Sequence, residues 1–223
     1  MVTKTGRISE ATFETRRTAR YFYAGDPSTA RRLWFLCHGY GQSAKKLLED
    51  SISCFSKDEF VVAPEGLSRF YLKGFSGDVG PSWMTKELRL SEIDDYVNYL
   101  NGLLDEFFKK FSHPPLIYLL GFSQGAATVS RWIASGRVPS RALILWSGLF
   151  PPDLPGTIPQ GAGAFKIYLV IGKQDQFISM EQVSSQKQGL EEQGYNVELI
   201  TFDGRHAIKP DVLLELKTRL YQE

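Results

Sequence analysis

Six short, predominantly apolar runs punctuate the chain: Leu33 to Cys37, Phe60 to Ala63, Leu116 to Leu120, Ala142 to Trp146, Phe165 to Ile171 and Val197 to Phe202. Segments of helical period lie between most of them. Strands that are apolar without alternation are buried on both faces, as the strands of a parallel sheet are, and repeated strand–helix alternation makes a layered α/β fold. Thr12 to Tyr23 is rich in Thr, Phe and Tyr and ends at the turn signal Gly25-Asp26-Pro27. It reads as one arm of an antiparallel hairpin that enters the sheet with the Leu33 run.

The clearest helix carries Ile93, Val97, Leu100, Leu104, Phe107 and Phe111 at spacings of four and three, with Ser91 and Asp94 in a capping-box pattern at its start. Ser179 with Gln182 repeats that pattern ahead of a helix to about Glu192. Pro210 suits the first turn of a final helix through Leu213, Leu216 and Leu220. Residues 66–83 and 149–164 have no clear period and read as loop insertions. Loops of that length inside a compact domain are more often functional than idle.

With 223 residues, 43% of them hydrophobic, the chain suits one globular domain, or at most two small ones, and is neither disordered nor collagenous. Lys plus Arg total 26 against 25 Asp plus Glu, so no general attraction to nucleic acid or an anionic membrane is built in. The expected partner is a small molecule. No apolar run approaches the ~20 residues that span a bilayer, and Met1 to Glu10 lacks the apolar core of a signal peptide, so a cytoplasmic location is the default expectation. Cys37 and Cys54 have neither disulfide-framework nor zinc spacing and read as buried thiols. Three scattered histidines without an HExxH pattern give no metal site.

The Leu116 run leads straight into Gly121-Phe122-Ser123-Gln124-Gly125, after which a helical segment begins. This strand, G-x-S-x-G, helix order is that of a nucleophile elbow, whose glycines let neighbouring elements approach a serine raised above the sheet edge. Gly74-Phe75-Ser76-Gly77-Asp78 is a decoy, with no final glycine and no following helix. A serine hydroxyl needs a histidine to take its proton and a carboxylate to orient that histidine. On such a fold both follow the serine in the chain, which excludes His38 and His113 and leaves His206. Asp175 stands just past the Phe165 strand; Asp153 and Asp203 compete with it. Cys37-His38-Gly39-Tyr40-Gly41-Gln42, after the first buried strand, supplies an oxyanion loop. The backbone amides of Tyr40 and Gln124 are the expected oxyanion donors, with His38 anchoring the loop.

These residues resemble the α/β-hydrolase superfamily and, within it, the phospholipase/carboxylesterase family that includes acyl-protein thioesterases. The likeness runs from about Arg32 to the carboxyl end through His38-Gly39-x-Gly41, Ser82-Trp83, Gly121 to Gly125, Leu145-Trp146-Ser147-Gly148, Gly172-x-x-Asp175 and His206-x-Ile208. It implies one α/β-hydrolase domain over residues 1–223, with a mostly parallel sheet, an antiparallel amino-terminal hairpin and helices on both faces. It further implies a Ser123-Asp175-His206 triad, Tyr40 and Gln124 as oxyanion donors, and cofactor-free hydrolysis of carboxylic esters or thioesters through an acyl-enzyme. The chain departs from the family pattern at three places: Tyr40-Gly41-Gln42 stands for LGD, Ile171 for a histidine before the acid's glycine, and Arg205 for a small residue before His206. None of these removes a catalytic group.

Two further readings remain in view. The same triad serves an acyltransferase, because the acyl-enzyme is shared. Gly39-x-Gly41-x-x-Ala44 with Glu65 also matches a dinucleotide-binding unit, which would make the chain an oxidoreductase, yet that reading explains none of Ser123, Asp175 or His206. For the acyl group, Phe75, Trp83, Leu149 and Phe150 are candidate substrate contacts, joined by Leu67, Phe70, Tyr71 and Met84; packing of the loops onto the sheet accounts for them equally well. Arg69 and Lys73 read as a solvated face.

Overall fold

A computed structural model describes residues 8–154 and 165–222. All six apolar runs are strands: β2 (Arg32–Cys37), β3 (Glu59–Pro64), β6 (Leu116–Phe122), β7 (Ser140–Trp146), β8 (Lys166–Gly172) and β9 (Asn196–Phe202), preceded by β1 (Tyr21–Ala24). They form one seven-stranded sheet in the order β1-β3-β2-β6-β7-β8-β9, parallel throughout except at β1. The helices are α1 (Ala44–Ser51), α2 (Arg89–Phe108), α3 (Gln124–Ala134), α4 (Met180–Glu192) and α5 (Pro210–Leu220). This is a mostly parallel α/β sheet, as the unbroken apolar runs require.

Neighbouring residues of one strand serve opposite cores. Leu33, Phe35, Cys37 and Leu119 face α2 and α3, where Trp132 meets Phe35 edge-on at 4.8 Å between centroids. Trp34, Leu36, Tyr118 and Leu120 face α1 and α5, and Trp34 stacks on Tyr118 at 4.7 Å. Each buried side chain of this size removes roughly 1.5–3 kcal/mol of apolar exposure, so a polar residue on either face would be costly. Cys37 and Cys54 are both free and buried, and burial raises both thiols.

The structure refines the sequence reading in three places. The antiparallel amino-terminal strand is present, but its partner is β3, with Phe22 opposite Ala63, rather than β2. Both edges of β2 are occupied by parallel neighbours buried on both faces, which leaves the half-exposed β1 to the sheet margin. Helix α2 starts at Arg89 on an N-cap Leu88 with φ 45° and no side-chain cap, so Ser91 and Asp94 do not form a capping box. Glu92 instead accepts from Ser68 Oγ at 2.9 Å and from the Thr85 N–H, tying the first turn to the preceding loop. Residues 66–83 contain an antiparallel pair, β4 (Ser68–Tyr71) and β5 (Val79–Ser82). The Ser179–Gln182 capping box and the Pro210 start are both present. Of residues 149–164, positions 155–164 lie outside the described residues.

Candidate active site

Ser123 joins β6 to α3 with φ 54° and ψ −116°, a conformation an L-residue adopts only when its surroundings enforce it. They do so here. The Ser123 N–H donates to Trp146 O at 2.9 Å, and Ser123 O accepts from Ala126 N at 3.0 Å. A Cβ on Gly121 would lie 2.2 Å from Gly125 O, and one on Gly125 would lie 2.0 Å from Cys37 O. The flanking glycines therefore let β6, α3 and the end of β2 meet under a partly exposed serine.

His206 sits in the loop between β9 and α5, and its Nδ1 lies 2.8 Å from Asp175 Oδ2, with the aspartate side chain fully buried. The other carboxylate oxygen accepts from Phe177 N at 2.9 Å and Ile178 N at 3.2 Å. Burial alone would raise the Asp175 pKa; the Phe177 amide, the His206 imidazole and the neighbouring Ser147 hydroxyl together hold it below its ordinary value. A buried carboxylate beside Nδ1 favours the tautomer with Nδ1–H, leaving the lone pair on Nε2. Phe122 and Phe177 pack on the imidazole at 4.9 and 4.7 Å.

The rival acids are engaged elsewhere. Asp153 takes Arg131 at 2.9 Å and Arg89 at 3.1 Å, and the Arg131 hydrogen bond holds its pKa at about 2. Asp203 is exposed and pairs with Lys173 at 3.0 Å.

The loop after β2 is anchored by His38, which is buried with Nδ1 2.7 Å from Gly39 O and Nε2 accepting from Gly66 N at 2.9 Å. Trp83 stacks on its ring and donates from Nε1 to His38 O at 2.9 Å. Burial pushes the His38 pKa down to about 4, so the ring is neutral at pH 7. Because the folded value lies below the ordinary 6.5, the unfolded chain takes a proton that the folded chain refuses, and stability falls as pH drops from about 6.5 toward 4. The loss expected from this group is about 3 kcal/mol, read as a steeper pH dependence of urea unfolding in the wild type than in His38→Gln.

Side chains that sequence reasoning missed brace the same loop. Gln42 Oε1 accepts from Gly39 N at 2.9 Å; Gln124 Oε1 accepts from Trp83 N at 3.1 Å and its Nε2 donates to Met84 O at 2.8 Å. Tyr40 is 60% exposed and stacks on Phe70 of β4, while Gly41 N donates to Pro81 O at 2.8 Å. Ser147, just past β7, has φ 45° and a buried hydroxyl beside the Asp175 carboxylate. The glycine-containing Trp146-Ser147-Gly148 step was its only sequence signal.

A cavity of about 570 Å³ opens over Ser123 and His206. Of the four candidate substrate contacts, Leu149 lines it. Phe75 projects from the β4–β5 tip at 98% exposure, Trp83 is buried against His38, and Phe150 is buried beside Tyr195. Phe177, Ile178 and Ala127 complete the apolar wall instead; the first two follow Asp175 closely, a placement that proximity to the acid could have suggested. Gly39, the first glycine of the dinucleotide-like pattern, faces the Ser123 side chain, and an added Cβ would stand 3.1 Å from Ser123 Cβ. Its openness thus accommodates the serine turn.

The family model for Phospholipase/Carboxylesterase matches residues 26–222. The chain belongs to this family. No curated protein matches the sequence significantly. Among solved structures, Zea mays acyl-protein thioesterase 2 is similar over 91% of this chain and 100% of its own, at 19% identity and a TM-score of 0.70. Esterase PE8 is similar over 92% and 99%, at 24% identity and 0.71, and the Bacillus cereus carboxylesterase over 92% and 94%, at 16% identity and 0.70. Likeness at these identities shows the α/β-hydrolase fold. Membership of the phospholipase/carboxylesterase family supports a hydrolase. Among the described residues, no helix is long and apolar enough to cross a membrane.

Proposed function

We propose that this chain is a serine hydrolase of the carboxylesterase/thioesterase type, acting on small acyl esters or thioesters. The single observation that carries the reading is the 2.8 Å contact between the fully buried Asp175 and Nδ1 of His206, whose imidazole lines the same cavity as the strained Ser123. Ser123 Oγ attacks the acyl carbon while His206 Nε2 takes its proton, and the ionised Asp175 stabilises the imidazolium that forms. The proton then passes to the departing alcohol or thiol. Water, deprotonated by the same imidazole, releases the acid from the acyl-enzyme.

The negative charge on the tetrahedral oxygen falls to the amides of Tyr40 and Gln124, and their fixed position is the reason for the bracing by Gln42, Trp83 and the Gln124 side chain. One such donor is worth ~3 kcal/mol in a known case. A mostly apolar wall favours an uncharged acyl group. The test is covalent labelling: a fluorophosphonate should add to Ser123, located by peptide mass, with loss of p-nitrophenyl butyrate hydrolysis in proportion. Full activity after complete labelling, or an adduct elsewhere, removes the reading.

A further inference from the structure

A second cavity, of about 290 Å³, lies at the other end of the sheet. The first residues of β2, β6, β8 and β9 border it under the last turn of α5, so along the seven residues of β6 it stands about 20 Å from Ser123. Arg32, Arg141 and Lys166 reach it, with Asn196 and the rings of Tyr118 and Tyr221. Three cationic side chains around one hollow need anions.

Among the described residues, two carboxylates lie beside these cations. Glu198 pairs with Lys166 at 2.8 Å and with Arg219 at 2.7 Å. Glu59 is buried and accepts from Lys217 at 2.8 Å and from the Tyr221 hydroxyl. Among the described residues, neither Arg32 nor Arg141 has a carboxylate partner. Arg32 stacks on Tyr221, its guanidinium carbon 4.0 Å from the ring centroid, and its Nε is buried without a hydrogen-bond acceptor. A stacked guanidinium has a fixed plane, and its N–H edge is preorganised for a planar or tetrahedral oxyanion.

We propose that this cavity is a ligand site for a phosphate monoester dianion. Two guanidinium charges without a carboxylate partner among the described residues match the two charges of the phosphoryl group, and Lys166 and Asn196 add N–H donors. The volume, near the lower end of the roughly 300–1,000 Å³ typical of ligand pockets, exceeds what one inorganic phosphate fills. The aromatic walls suit an organic remainder on the ester. The site does not depend on the hydrolase reading, because it shares no residue with the Ser123 cavity.

The test is calorimetric titration of the full chain with inorganic phosphate and with glycerol 3-phosphate at constant ionic strength, with sodium chloride and glycerol as blanks. Saturable binding of either phosphate supports the site; tighter glycerol 3-phosphate assigns the ester, and equal affinities assign the free anion. Arg141→Gln, at an exposed position, should weaken binding about tenfold, the loss of one charge-assisted contact. Arg32→Gln with Arg141→Gln should abolish it. Because Arg32 also packs on Tyr221, Arg141→Gln is the decisive variant. No saturable binding at millimolar ligand, affinity unchanged in Arg141→Gln, or heats equal to the chloride blank would overturn the proposal.

Discussion

Ser123→Ala should lower kcat for a p-nitrophenyl ester by about 10⁵-fold or more, the scale on which removal of an activated serine acts in enzymes whose triad works as a unit. The fold should persist, since alanine meets the same neighbours and the Ser123 N–H still donates to Trp146 O. Asp175→Asn should be nearly as damaging, because an amide there can hold the wrong tautomer of His206. Stability provides a second reading. Ser123→Gly removes the cost of a side chain at φ 54° and should raise the urea midpoint, by about 1 kcal/mol in free energy, while activity disappears. A Ser123→Ala enzyme within tenfold of wild type would sink the nucleophile assignment.

Gly125→Ala should unfold the protein or cost more than about 4 kcal/mol, far above the usual effect of adding one methyl group. The new Cβ would stand 2.0 Å from Cys37 O, 2.6 Å from Cys37 C and 2.8 Å from His38 O, all backbone atoms that no rotamer change can move. Relief requires α3 to retreat from the end of β2, which separates Ser123 from the loop after β2. The matched control is Gly102→Ala on α2, where an added Cβ meets nothing within 4 Å. There the gain in helix propensity should stabilise by about 0.5–1 kcal/mol. Equilibrium unfolding in urea separates the two; equal midpoints would show that the glycine requirement at 125 has been misjudged.

What could be read from the sequence was decided locally. A strand buried on both faces must be largely apolar, so β2, β3 and β6 to β8 announced themselves, as did the edge strand β9 through its apolar residues, and the serine turn followed from glycines two residues to either side of Ser123. Asp175 and His206 stood out as candidates because each follows the end of a strand by a few residues. Features set by distant partners stayed hidden. The pairing of β1 with β3 depends on which edge of β2 remains open. The β4–β5 pair is built from short strands containing Gly80 and Pro81, which mask a period of two. The start of α2 is fixed by Glu92 reaching Ser68 and Thr85, so the local Ser91–Asp94 pattern was misleading. The clamp through Gln124 joins segments about 40 residues apart, and the strained Ser147 is evident only once β7 and β8 lie side by side.

Trp34 and Phe35 serve different cores, as do Leu119 and Leu120, so each strand reads alternately to two sides. A single inserted or deleted residue inside such a strand would exchange the two sets for everything downstream and turn the site-bearing end out of register with its neighbours. Length changes in descendants of this chain should therefore accumulate at the turns, notably at the β4–β5 tip, while strand lengths stay fixed. The constraint on strand length in this protein is thus one of counting, and it holds whatever acyl group the site accepts.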